Sequence, residues 1–333
     1  MTPLFLGMSG PVLTPEERDL FRACDPAGYI VFKRNCLDPA QLLALTDELR
    51  DLAGRDVPIL IDQEGGRVAR LGPPHWPVFP AAAQFGVLYD KAPITAIEAA
   101  RLNAMAIALT LRAVGVNVDC LPLLDVPQPD AHGIIGDRAY AAEPMWIASL
   151  GKATLDGLRA GGVCGVIKHI PGHGRARVDS HLDLPVVEAS RRELEIDFEP
   201  FHKLRAAPMA MTAHVVYTAL DAGRCATLSP VVIDSIIREH IGFEGLLMSD
   251  DLGMKALGGD FGSRARDALT AGCDIALHCS GDIMEMRAIV GAVGEITPEA
   301  ARRLDAAMAW ASTPDTSEIA ELIAKRDALL AYA

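Results

Sequence analysis

The 333-residue sequence is half hydrophobic, 23% charged and 5% aromatic, a composition that excludes disorder, collagen and coiled coil. With 31 basic against 44 acidic residues its formal charge is -13. Such a chain repels phosphate backbones and anionic membrane surfaces, so neither nucleic acid nor membrane is an expected partner.

Short apolar, β-branched runs predict strands over 4–8, 28–32, 57–61, 116–120, 163–167, 209–213, 245–248 and 274–277. Between them, apolar residues at three- and four-residue spacing predict helices over 40–52, 94–114, 145–160, 191–204, 230–241, 263–271 and 283–293. Strand followed by helix, repeated along the chain, implies parallel pairing with right-handed crossovers. Eight strands, all but the first followed by a predicted helix, suggest a (β/α)8 barrel of the α/β class, irregular in its first units. No linker or repeat divides the chain, so the expectation is one domain over 1–333 with an Ala-rich helical extension over about 298–333, broken at Thr313-Pro314.

The seven cysteines are scattered, without a CxxC pair, which argues against a disulfide framework or structural zinc and fits a reducing compartment. The first residues show no basic segment followed by a long apolar core, and no run of about 18 uncharged apolar residues occurs. The expectation is a soluble cytoplasmic protein; the sequence gives no indication of oligomeric state.

Barrel enzymes work at the C-terminal ends of their strands. Polar groups gather there: Lys33-Arg34-Asn35 after the second predicted strand, Asp62 after the third, Asp119 and Asp125 at the fourth, Lys168-His169 at the fifth, then His214, Ser249-Asp250-Asp251 and His278. The segment from Lys168 to His181 holds three of the nine histidines. Its Pro171, Gly172 and Gly174 exclude a helix and predict a long flexible loop. Asp179 and His181, two residues apart, would project to one side of extended backbone, and a carboxylate beside an imidazole makes an acid/base group active near neutral pH. Asp250 and Asp251 would point to opposite sides; one could act as a nucleophile, yet adjacent aspartates at a strand end also serve as helix N-caps, and spacing does not choose between them. Asp62 with Arg67 and Arg70, and Arg138 in Gly-Asp-Arg, form a set suited to paired hydrogen bonds with vicinal hydroxyls, as in a sugar.

At these residues the sequence resembles glycoside hydrolase family 3, in particular its single-domain bacterial β-N-acetylglucosaminidases. Residues 61–70 match the family's DQEGGRVxR stretch, and Lys168-His169-Ile170-Pro171-Gly172-His173-Gly174 with Asp179-Ser180-His181 matches its KHFPGHG…DSH signature. Ser249-Asp250-Asp251-Leu252 matches its nucleophile segment, and 117–126 and 135–138 resemble two further motifs. The resemblance implies a retaining exo-hydrolase of peptidoglycan fragments such as GlcNAc-1,6-anhydroMurNAc, with or without peptide, acting in cytoplasmic cell-wall recycling. It implies Asp250 as nucleophile, His181 as acid/base oriented by Asp179, and Asp62, Arg70, Arg138, Lys168 and His169 as the residues holding the terminal N-acetylglucosamine. Neither a metal nor an organic cofactor is implied. Ile170 replaces the usual Phe, and Arg175-Ala176-Arg177 is more basic than many family loops, which suggests attraction of an anionic leaving group such as a muramyl carboxylate.

Other readings of the same residues are phosphorolysis at the same site, a metal-dependent hydrolase using His169, His173, His181 and Asp250, and a non-catalytic sugar-binding protein. The metal reading lacks the HxH expected on the first strand of common barrel metallohydrolases.

Overall fold

The computed structural model describes residues 1–129, 133–176, 178, 184–311 and 313–333, and the statements below concern those residues. Its strands, in chain order, are β1 (Thr2–Gly7), β2 (Pro26–Val31), β3 (Ile59–Ile61), β4 (Val118–Asp119), β5 (Cys164–Ile170), β6 (Val186–Val187), β7 (Met209–Thr212), β8 (Val216–Tyr217), β9 (Leu246–Met248) and β10 (Ala276–His278). Eight of them form one all-parallel sheet in the order β10-β1-β2-β3-β4-β5-β7-β9. The two end strands meet through a short parallel bridge, Met248 to Ile275, with Ser249 N–H donating to Ile275 O at 3.0 Å and Ile275 N–H to Leu247 O at 3.2 Å. The sheet is a nearly closed barrel, and each of its strands falls on a run the sequence marked. β6 and β8 form a separate two-stranded sheet that the sequence does not announce, each being two residues long.

The runs are continuously apolar because both faces of the barrel wall are buried. Phe5, Ile30 and Leu60 belong to an interior cluster, whereas their neighbours Leu4 and Leu6, Tyr29 and Val31, Ile59 and Ile61 pack outward against the helices. Phe5 requires Gly28 beside it: a Cβ there would stand 2.7 Å from the Phe5 ring.

The helices are α1 (Pro15–Cys24), α2 (Pro39–Ala53), α3 (Ala82–Lys91), α4 (Pro93–Arg112), α5 (Pro144–Ala160), α6 (Arg191–Lys203), α7 (Phe261–Ala271), α8 (Ile283–Ala292), α9 (Pro298–Met308) and α10 (Ile319–Leu330). α1 and α3 add to the sequence expectations. α1 carries a readable start signal, a capping box between Thr14 and Glu17 with Pro15 at its first position. Over 230–241, where an α-helix was expected, Val232–His240 is π-helical, and Ile241 N–H reaches back five residues to Ile236 O. Among the described residues α4 is the one helix long and apolar enough to cross a bilayer, and 67% of that stretch is buried inside this protein.

The C-terminal extension forms two helices with a break where Thr313-Pro314 predicted it. α9 adds Leu304 and Ala307 to the interior cluster. α10 lies on α4, where the buried Arg326 donates to Asn103 Oδ1 at 2.9 Å.

Candidate active site

β3 ends at Ile61, and the chain then turns sharply. Gln63 knits the turn: its N–H donates to Asp119 Oδ1 (3.0 Å), its side-chain oxygen accepts from Arg70 N–H (2.9 Å) and Leu71 N–H (3.0 Å), and its amide donates to Leu71 O (3.0 Å). Gly65 and Gly66 have φ of 91° and 56°, conformations that glycine adopts without the steric penalty other residues meet. This geometry directs Asp62 and Glu64 into one cavity and returns Arg70 beside them.

Lys168, on β5, stands between the two carboxylates with its Nζ 2.9 Å from Asp62 and 2.7 Å from Glu64. Arg70 closes on the far oxygen of Asp62 at 2.7 Å, and Arg138 forks onto Glu64 with two contacts of 2.8 Å. Three cations and two anions thus alternate in a chain. Burial alone would raise the Asp62 carboxyl, but Lys168 and Arg70 hold it below the usual carboxylate range. Glu64 meets the same burial, and Lys168 and Arg138 bring it down to about 2. Burial works against the Lys168 ammonium, and its two carboxylate partners outweigh this and hold it above the usual lysine range. The network is therefore fixed, charged and rigid, with charge-assisted hydrogen bonds at each link. Glu64 was not singled out from the sequence. Its signal was the two-residue spacing from Asp62, which sets both side chains on one side of extended chain.

Adjacent residues of a regular strand face opposite ways, yet Lys168 and His169 both line the cavity. The β5–β7 pairing explains this: its register shifts between Lys168 and Ile170, which pair with Met211 and Thr212. His169 Nδ1 is 2.8 Å from the buried Asp125 Oδ2, and the other oxygen of Asp125 accepts from His173 N–H at 2.6 Å and His169 N–H at 3.2 Å. The first part of the expected flexible loop is accordingly well anchored. Residues 171–174 are buried, Tyr217 OH donates to Gly172 O (2.7 Å), and Gln128 N–H donates to Gly174 O (3.1 Å). Arg175 overturns the expectation that it attracts an anionic leaving group: its Nε is 2.6 Å from Asp197 and its Nη2 donates to Glu193 O at 3.0 Å, so it is committed to α6. Asp179 and His181, and with them Arg177, lie outside the described residues.

The remaining strand ends complete the rim. Asp250 Oδ1 accepts from Asp251 N–H at 2.8 Å, and Asp250 N–H donates to Thr212 Oγ1 at 3.3 Å. Asp251 Oδ1 accepts from Gly253 N–H (2.9 Å) and Cys279 N–H (3.0 Å), tying the end of β9 to β10. Neither aspartate caps a helix, since α7 starts ten residues later on the Asp260 side chain. His214 donates from Nε2 to Asp251 O (3.0 Å) and places Nδ1 2.7 Å from Thr227 Oγ1. His278 lies 3.1 Å from Glu285 and 4.0 Å from Asp251. These two buried histidines support the β9 end from behind, and burial pushes both below the ordinary imidazole value. Asp119 faces no cation directly. One oxygen takes Gln63 N–H, the other has no hydrogen-bond partner among the described residues, and burial pushes its carboxyl well above the usual range.

The structure thus brings Asp62, Arg70, Arg138, Lys168, His169 and Asp250 to one cavity of about 230 Å³. That is smaller than the roughly 300–1,000 Å³ of drug-sized ligand sites. A mouth lined by fixed cations, carboxylates and an imidazole can orient a small polyhydroxylated ligand in front of the Asp250 carboxylate.

The family profile "Glycosyl hydrolase family 3 N terminal domain" matches residues 13–310. The chain belongs to glycoside hydrolase family 3. Among relatives of this glycosidase, a β-hexosaminidase of Thioalkalivibrio sulfidiphilus is 36% identical over 325 residues, covering 95% of this chain and 93% of its own. A β-hexosaminidase of Methylococcus capsulatus is 40% identical over 281 residues, 81% of this chain and 80% of its own. Among solved structures, NagZ from Neisseria gonorrhoeae in complex with N-trifluoroacetyl-D-glucosamine superposes with a TM-score of 0.87 at 30% identity, covering 100% of this chain and 98% of that one. The family 3 β-N-acetylglucosaminidase of Paenibacillus sp. str. FPU-7 gives the same TM-score and identity over 98% of this chain and 67% of its own. The family membership implied by the sequence motifs is therefore shown, and this family 3 enzyme resembles the bacterial β-hexosaminidases over nearly its whole length.

Proposed function

We propose that this enzyme is a retaining exo-β-N-acetylglucosaminidase. It removes terminal N-acetylglucosamine from small peptidoglycan fragments, such as GlcNAc-1,6-anhydroMurNAc with or without peptide, in cytoplasmic cell-wall recycling. The observation that carries this reading is the placement of Asp250 on a cavity of about 230 Å³ whose wall is the Arg70–Asp62–Lys168–Glu64–Arg138 network together with His169. The likeness to a structure holding an N-acylated glucosamine, and to relatives named β-hexosaminidases, supports the sugar assignment.

In this reading Asp62, Arg70, Arg138, Lys168 and His169 bind the hydroxyls of the non-reducing sugar. Asp250 attacks the anomeric carbon while the glycosidic oxygen leaves, taking a proton from His181, whose imidazole Asp179 orients. The bond from the anomeric carbon to the leaving oxygen breaks as the bond to the Asp250 oxygen forms. Neutral His181 then accepts a proton from water, which displaces Asp250 and restores the β configuration. The fixed cations around Asp62 and Glu64 keep those carboxylates ionised and bonded, so they position the sugar rather than exchange protons with it.

Incubation with a slow 2-fluoro or 5-fluoro N-acetylglucosaminyl-type reagent, followed by peptide mapping, tests the reading. The expected result is one adduct, on Asp250. An adduct elsewhere, or a released sugar of inverted configuration, overturns it.

A further inference from the structure

Arg67 sits in a turn that the backbone forms without its side chain. Glu64 N–H and Gly65 N–H both donate to Val68 O, at 2.9 and 3.2 Å, and Gly66 N–H donates to Phe79 O at 2.9 Å. The guanidinium instead crosses to the segment between β4 and α5. Its Nη2 lies 2.6 Å from Ile134 O, 3.1 Å from Gly133 O and 3.2 Å from Ile135 O, and its Nε is 2.9 Å from Asp137 Oδ1. In the opposite direction Arg138 leaves that segment and forks onto Glu64 of the first loop. The two loops thus exchange arginines. Both arginines line the cavity; the inner one is buried, whereas the side chain of the outer one is 43% exposed.

We propose that Arg67 is a positioning residue for sugar binding: it holds residues 133–138 against the β3 loop, so that the wall formed by Ile134 and Ile135 and the Arg138 fork keep their places at the cavity. The inference rests on reading that cavity as the sugar site. Residues 133–138 are held from the inside by Arg138, through its fork onto Glu64 and its Nη1 3.3 Å from Ile134 O. They contain one short turn, Gly136–Arg138, and their apolar contacts form a small cluster of Ile134 and Ile135 with Leu123 and Ala139. Three carbonyl oxygens around one guanidinium nitrogen make a second, outer clamp, whose loss loosens the segment. The Asp137 ion pair alone, half exposed and screened by salt, would hold it weakly. Arg67 acts through Arg138 and the wall, so its loss should weaken binding of ground state and transition state alike.

The test is Arg67→Ala in the full chain, followed by amide hydrogen exchange over 133–140, thermal unfolding, and steady-state kinetics on an aryl N-acetylglucosaminide; Arg67→Lys serves if the first variant does not fold. The expected result is faster exchange confined to 133–140 at an unchanged melting temperature, with KM raised about tenfold and kcat held within about twofold. Unchanged exchange overturns the clamp. Faster exchange with unchanged KM, or a collapse of kcat at constant KM, overturns its role in binding. A wild-type enzyme with no activity on N-acetylglucosaminides refutes the proposed function instead, and the exchange measurement still decides the clamp.

Discussion

Asp125 accepts a hydrogen bond from His169 Nδ1 at 2.8 Å, and through its second oxygen it also holds the backbone N–H of His173 at 2.6 Å. One buried carboxylate therefore sets both the ring of a cavity residue and the path of the chain beyond β5. Because a carboxylate only accepts, Nδ1 carries the hydrogen and Nε2 is the nitrogen His169 can offer a ligand. Asp125→Asn keeps the shape, but its amide can present a donor to a donor. The imidazole must then change tautomer or lose its bond. A hydrogen bond to a charged group is worth about 1.5–3 kcal/mol, which corresponds to a loss of roughly 10- to 100-fold in kcat/KM. Steady-state kinetics with a circular-dichroism control measure it; a loss below about threefold would mean that His169 is oriented by other groups.

The neighbouring aspartates at the end of β9 should separate into a chemical and a structural residue. Asp251 is spent on the amides of Gly253 and Cys279, and its carbonyl receives His214. Asp250→Ala should lower kcat by at least about 10³-fold while leaving the melting temperature near that of the wild type. Asp251→Ala should instead unfold at lower temperature, because the Gly253 and Cys279 N–H groups lose their acceptor, and the Cys279 bond is a tie between β9 and β10. The reverse pattern in paired thermal and kinetic measurements would exchange the two roles.

Much of this site could be read before the structure, for a physical reason. Asp62, Lys168 and Asp250 directly follow, or lie within, apolar runs buried on both faces, and a polar residue at such a position has only the barrel mouth to occupy. Arg138 was legible only through its motif, since nothing in the spacing tells that a residue of the β4–α5 segment will fork onto Glu64. Glu64 itself was hidden by the Gly65-Gly66 turn that follows it, which reads as a loop rather than as a binding wall. Arg175 was misjudged because its partner, Asp197, is 22 residues away on α6. Long-range pairing of this kind follows from packing and leaves no local pattern. β6 and β8 escaped notice because two residues are too few for any period to show.

Lys168 is buried with a carboxylate on either side. Lys168→Met preserves length and removes the ammonium, leaving Asp62 to Arg70 and Glu64 to Arg138. Breaking a buried pair costs about 3–5 kcal/mol because the remaining charge is uncompensated. Urea unfolding at neutral pH should show a loss of this size. Glu64, now held at about 2, should titrate closer to the ordinary value of 4.5. A loss under about 1 kcal/mol would show that the two arginines suffice to hold both carboxylates.

His173 gives the fold an acid-sensitive window above the one set by Glu64. Its ring is buried, and burial together with His169 pushes it down to about 4, with Asp125 and Asp250 opposing only in part. As pH falls below 6.5 the unfolded chain takes up a proton that the folded imidazole refuses until about pH 4. The unfolded state then binds more protons, so stability is complete above 6.5, is lost progressively between 6.5 and 4, and loses no more through this group below 4. The gap between the two values corresponds to about 3 kcal/mol. Glu64 acts lower, its contribution being present above 4.5 and lost as pH falls toward 2. His214 and His278 are shifted in the same direction as His173, so His173→Gln should remove part of the upper slope, not all of it. Urea unfolding repeated from pH 7 to pH 4 measures that slope for both chains. Parallel curves would mean that His173 accepts its proton as readily in the folded protein as in the unfolded one.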